Sequence, residues 1–263
     1  MANVLVDENS LQSIANAIRE KNGTQNIYKP SQMPQAIRDI QNSGDTALFE
    51  ALVNGNIAGE VITQSESIRG SSFSGCTSMT AFSAPNAKVI GNTACNNCTN
   101  LQKVSFPELT AFSVQTFYNC PKLKHIYAPK VTSTSTSTFQ GCTSLEIVKF
   151  PSLTGATSSA FQNCTALKIA KFDSLKNIST STFYNCQSLK ALIIGVTNCT
   201  LSNVNAFSNS AIATGTGFIY VPDEAVDTYK TATNWNAYAS AIKGISEIAQ
   251  DILNEVEAYN YGN

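Results

Sequence analysis

Eight cysteines, one histidine and two adjacent acid pairs are the residues of this 263-residue chain best suited to chemistry. Thiolates ligate metals, close disulfides and act as nucleophiles. Six of the thiols recur every 22 residues, at Cys76, Cys98, Cys120, Cys142, Cys164 and Cys186. Residues in register on stacked coils point the same way about 4.8 Å apart. A disulfide needs Cβ atoms at about 3.8 Å with side chains turned toward each other. The six therefore read as small buried hydrophobes whose S–H can reach a nearby turn carbonyl. Cys95 and Cys98 form a Cys-x-x-Cys, but Cys95 stands in a phenylalanine column, and one such pair without histidines is weak for zinc. Cys199 lies outside the columns.

His125 cannot serve a triad without a nucleophile and an orienting acid, and no Gly-x-Ser-x-Gly elbow accompanies it. It is expected to be an exposed surface histidine. The chain lacks Gly-x-Gly-x-x-Gly, a phosphate loop and a calcium loop. Asp7-Glu8 and Asp223-Glu224 suit helix starts, where carboxylates complement the dipole. Asn97-Cys98-Thr99, Asn163-Cys164-Thr165 and Asn198-Cys199-Thr200 match a glycosylation sequon, the first two as a by-product of the repeat. The expectation is no catalytic residue, no metal site and no cofactor, hence no enzyme.

What positions these residues is a repeated unit, Phe-x-x-Cys-x-x-Leu-x-x-Val-x-Phe-Pro-x-Leu-Thr. Phe73, Phe117, Phe139, Phe161 and Phe183 precede their cysteines by three, and Met79, Leu101, Leu123, Leu145, Leu167 and Leu189 follow by three. Val148-Lys149-Phe150 shows the period-two pattern of a short half-buried strand, closed by proline. Such a strand is stable only when neighbouring units stack. A degraded last copy starts at Phe207, with Ser210 in the cysteine place. The run at residues 132–138 reads as an ordered return arm rather than low complexity.

The columns resemble the BspA-like (treponemal-type) leucine-rich repeat over residues 73–207. Ile219-Tyr220-Val221-Pro222, Tyr229-Lys230 and Trp235 look like the segment closing such arrays, and the opening stretch resembles a leader module of gut-bacterial and phage-encoded relatives. The resemblance implies an α+β repeat solenoid with a parallel strand ladder. It also implies binding or adhesion at a cell surface, in the extracellular space or on a virion.

The expected organisation is a two-helix module over residues 1–42, the solenoid over 43–212, and a C-terminal cap with a terminal helix over 213–263. Leu11, Ile14, Ala15 and Ile18 keep helical spacing, then Met33, Ile37 and Ile40, with a further helical turn over residues 46–53. Val61-Ile62 is a candidate first strand. Aromatics between residues 225 and 242 should cover the last coil. Ile248, Ile252, Leu253 and Val256 line one side of an acidic terminal helix, which is either a packed cap or an oligomer contact.

Net charge is −1, yet residues 86–195 carry ten lysines against three acids. An anionic glycan or acidic protein is therefore a candidate partner; the bland alternative is lysines that discourage edge pairing. No nucleic-acid partner is expected. No run of 18 apolar residues suggests a membrane span, and the first residues do not read as a secretory signal. The compartment stays open.

The expected working surface is the strand face, where two outward columns alternate with the core. One holds Lys103, His125, Ile147, Ile169 and Ala191; the other holds Ser105, Tyr127, Lys149, Lys171 and Ile193. The candidate partner-binding residues are Lys103, Ser105, His125, Tyr127, Ile147, Lys149, Ile169, Lys171 and Ile193. A second reading is a structural component of a phage virion or surface assembly that docks through its helical termini.

Overall fold

The computed structural model describes residues 59–259 together with the backbone of Val4–Leu5. The helices expected in residues 1–42 and the helical turn expected at residues 46–53 lie outside the described residues. Val4–Leu5 (β1) pairs in parallel with Gly59–Ile62 (β2), Val4 opposite Val61.

Because one turn of chain takes 22 residues, each alternating triplet lands beside its counterpart in the next coil. One parallel sheet runs β1, β2, Met79–Ser83 (β4), Lys103–Ser105 (β6) and His125–Tyr127 (β7). A second runs Ile147–Lys149 (β8), Ile169–Phe172 (β10), Ala191–Ile194 (β12), Phe218–Val221 (β14) and Ile242–Gly244 (β15). Val104 faces Ile126, and Ala170 faces Leu192, so the core column stays in register. β7 and β8 belong to different sheets, so the strand ladder is interrupted between them.

A second set of two-residue strands was missed in the sequence. Ser67–Ile68 (β3) pairs with Val89–Ile90 (β5), and Gly155–Ala156 (β9), Asn177–Ile178 (β11) and Thr200–Leu201 (β13) form their own ladder. Single bridges from Ala111 to Ser133 and from Ser133 to Gly155 continue the row. Only turns join the two ladders through most coils. The α-helices among the described residues are C-terminal: Val226–Thr231 (α1) and Gln250–Ala258 (α2).

The interior is a strip of columns. Rings of Phe117, Phe139, Phe161, Phe183 and Phe207 stack at 5.4–5.6 Å with planes within 9°. Aromatic pairs add about 0.5–1.5 kcal/mol beyond their buried area. Cys95 leaves this column one ring short. Phe112, from the second ladder's column, packs edge-on against Phe117 and Phe139 beside the gap.

All eight cysteines are free and buried. Five of the in-register thiols reach back to the preceding coil; among them Cys98 donates to the Phe73 carbonyl at 3.0 Å, Cys142 to Phe117 at 3.3 Å and Cys186 to Phe161 at 3.1 Å. Each thiol thus satisfies a buried carbonyl while spacing two coils. Burial pushes Cys76 and Cys142 up to about 12, because a thiolate there would lose its hydration.

Each cysteine-bearing coil makes two left-handed turns. One falls five residues before the cysteine, as at Thr93 and Ser137; the other falls directly before it, as at Gly75, Asn97, Asn119, Gly141, Asn163 and Asn185. Asn and Gly are the residues that tolerate this conformation best. The requirement explains the first two sequons: Asn97 and Asn163 answer a backbone need.

The last coil is closed as its aromatics suggest. Phe207 packs on Trp235, whose Nε1 donates to the Cys199 carbonyl at 2.7 Å, and Tyr229 donates its hydroxyl to Val196 at 2.9 Å. Cys199 is therefore part of the seam between array and cap.

Candidate interaction surface

The strand face is a consequence of period two: if Val148 points inward, Ile147 and Lys149 point outward. Lys103 is exposed, and Ser105, His125, Tyr127, Ile147, Lys149 and Lys171 are half-buried. Ser105 pairs with Tyr127 and Lys149 with Lys171, so this side carries two paired segments that meet at the interruption between β7 and β8.

Two of the expected residues are not open. Ile169 has no exposed surface, and Ile193 keeps only 4%. They are covered by α2, which lies across the face and packs Ile252 and Val256, together with Ile248 from the extended lead-in to the helix, against Ile169, Ala191, Ile193 and Tyr220. Ile147 and Phe218 pack at the margin of the same cluster. The expectation of exposed isoleucines is corrected here, because the terminal helix supplies an apolar stripe to cover them. That stripe was legible in the sequence, but its docking place was not. The signal was the outward columns themselves, which are polar at Lys103 and His125 and turn apolar toward Ile193.

Two polar contacts fix α2. Glu255 meets Lys190 at 2.6 Å, and the residue after the helix, Tyr259, accepts the Ile126 N–H at 3.2 Å. Elsewhere the inward-facing residues Ala84, Phe106 and Phe150 donate to the next coil's carbonyl. By the same register the Ile126 N–H faces β8, so Tyr259 takes a bond at the interruption of the ladder. The Tyr259 ring also lies over His125, with centroids 6.0 Å apart and planes at 23°. His125 is consequently half-buried rather than exposed, and its Nδ1 has no hydrogen-bond partner among the described residues. Burial, then Lys124 and Lys103, lower its pKa; Glu146 opposes them.

The lysine excess is partly neutralised coil to coil. Glu66, Glu108 and Glu146 each pair with the lysine 22 residues later, Lys88, Lys130 and Lys168. Lys171 pairs with Asp173. These pairs are well exposed and worth little individually. Lys103 and Lys149 make no ion pair among the described residues, so the open row keeps a positive edge. No group of three or more potential metal ligands occurs among the described residues. No helix there is long and apolar enough to cross a membrane.

The BspA type leucine rich repeat region matches this sequence in six copies, over residues 66–190 and 110–218. These matches span more than half of the chain.

The chain belongs to the BspA-type leucine-rich repeat family.

Proteins of the BspA-type leucine-rich repeat family are generally non-enzymatic scaffolds for protein binding or adhesion. Solved structures with similar folds come from bacteria. A Treponema pallidum leucine-rich repeat protein is 19% identical with a TM-score of 0.49, covering 77% of this chain and 84% of its own. A Bacteroides ovatus leucine-rich repeat protein is 23% identical with a TM-score of 0.44, covering 53% of this chain and 41% of its own. A leucine-rich cell surface protein from Faecalibacterium prausnitzii is 18% identical with a TM-score of 0.44, covering 72% of this chain and 64% of its own. No curated protein matches the chain.

Proposed function

We propose that this chain is a non-enzymatic binding protein that holds a partner protein on the open part of its strand face, the row Ser105, Tyr127, Lys149 and Lys171 with Lys103 at its edge. The observation that carries this reading is the division of the face by α2, which covers the apolar outward residues and leaves this mixed aromatic and basic row beside it. Tyr127 is the natural anchor of this row, a large side chain with few rotatable bonds to order on binding, whereas the lysines give up more rotamer freedom. The lysines favour a partner with an acidic patch, and the balance of charge contributes mostly to the rate of encounter.

The test is a protein and glycan array probed with the purified chain and with Tyr127, Lys149 and Lys171 together changed to Ala. The expected result is a protein hit lost in the triple variant at an unchanged melting temperature. A hit that both proteins bind equally places the site elsewhere, and hits confined to sulfated or phosphorylated glycans replace the protein partner with an anionic polymer.

A further inference from the structure

We infer that the part of the strand face beneath α2 is a docking groove for an acidic amphipathic helix from another protein, which α2 occupies in the free chain and which the partner helix enters by displacing it. The groove lies on a different part of the face from the Lys103–Lys171 row and stands whether or not that row binds.

The resident helix defines what the groove accepts. Ile252 and Val256, one turn apart on α2, pack with Ile248 from the extended lead-in on a floor of Ile169, Ala191 and Ile193, and the carboxylate of Glu255 meets Lys190 on the rim. This is the arrangement of helix-in-groove recognition, with apolar anchors setting affinity and a charge setting register.

Several features make the resident displaceable. Its cluster is separate from the main core, with the sheet between them, so α2 can leave without opening the solenoid. It is joined through two extended residues, Ile248 and Ala249, and has no side-chain hydrogen bond at its N-cap. A nine-residue helix is marginal in water on its own, so undocking and unwinding are one event. Undocked, α2 leaves Ile169, Ala191 and Ile193 as a contiguous apolar strip, the kind of surface that marks an interaction site. A competitor must overcome the tether, which holds α2 at an effective concentration in the millimolar range.

The probe is a fluorescent peptide with the sequence of residues 247–259, added to the full chain and to a full chain carrying Ile252→Glu and Val256→Glu. Those substitutions unseat the resident helix and leave the groove floor intact. The variant is expected to bind the peptide at least about tenfold more tightly than the wild type does, and adding Ile193→Glu to it abolishes binding. Trp235 fluorescence confirms that the array and cap remain folded. If the double substitution unfolds the chain, Ile252→Ala alone takes its place, and the same order of affinities is required. No binding by a folded variant, or equal binding by variant and wild type, overturns the inference. A wild-type dimer that dissociates in the variant also overturns it, placing a second copy's α2 in the groove.

Discussion

The hydroxyl of Tyr259 accepts the backbone N–H of Ile126 from 133 residues away in sequence, at the place where the strand ladder between β7 and β8 is interrupted. One phenol thereby ties the end of the chain to the middle of the array. It satisfies a donor that the neighbouring coils satisfy with backbone, and an unsatisfied buried N–H is costly.

Tyr259→Phe removes that acceptor and keeps the ring over His125. The bond is worth about 1 kcal/mol net, so opening of α2 should rise about fivefold. Amide exchange of residues 250–258 reads this, while the melting temperature of the array stays nearly constant, because local opening does not require global unfolding. Unchanged exchange would remove Tyr259 from the docking of α2.

His125 provides a pH dependence with a definite sign. Its pKa is lowered in the folded chain, chiefly by burial. The unfolded or undocked form therefore binds the proton more readily. Stability of the docked state is complete above the ordinary histidine value and falls as pH drops through it toward the folded pKa. The groups around the imidazole are Lys124, Lys103, Glu146 and Tyr259. As the chain has a single histidine, its imidazole resonances can be followed directly by NMR. The expected titration midpoint lies below 6.5, moving up when Tyr259 is changed to Ala. A midpoint above 6.5 contradicts the burial of this ring.

The cysteine column should be chemically silent. All eight thiols are buried, so a thiol reagent at pH 8 is expected to label none in the native chain and all eight in denaturant. Cys142→Ala leaves the Phe117 carbonyl without its donor and costs about 1–3 kcal/mol, read by denaturant unfolding. Rapid native labelling of Cys95 or Cys98 would show that these coils are open.

The left-handed turns separate a backbone requirement from a glycosylation signal. Asn163→Gly keeps the conformation open to the chain and should be nearly neutral, whereas Asn163→Val forces a β-branched residue to positive φ and costs about 1–2 kcal/mol. Equal melting temperatures for the two variants would refute the backbone reading.

The solenoid was legible because every coil repeats one physical problem. A cysteine, a leucine and a phenylalanine recur where the core needs them, and proline recurs where the strand must stop. The short second ladder was not legible, since its strands are two residues long and its column mixes Ile90, Phe112, Thr134 and Ala156. The coil-to-coil pairs of Glu108 with Lys130 and Glu146 with Lys168 could have been read with the same 22-residue ruler, and they would have lowered the apparent positive charge. The open row of the face followed from alternation alone. The fate of Ile169 and Ile193 did not, because it depends on a helix more than fifty residues later, and a single sequence records both apolar stripes without saying that they meet.

Hydroxyl-radical footprinting tests the division of the strand face most directly, since it reads side-chain exposure residue by residue. In the wild-type chain Ile193 and Tyr220 should be protected, and in the Ile252→Glu, Val256→Glu variant both should become oxidised while Phe139 and Phe161 in the core stay protected. Equal oxidation of Ile193 and Tyr220 in the two proteins would mean that α2 does not cover the strand face.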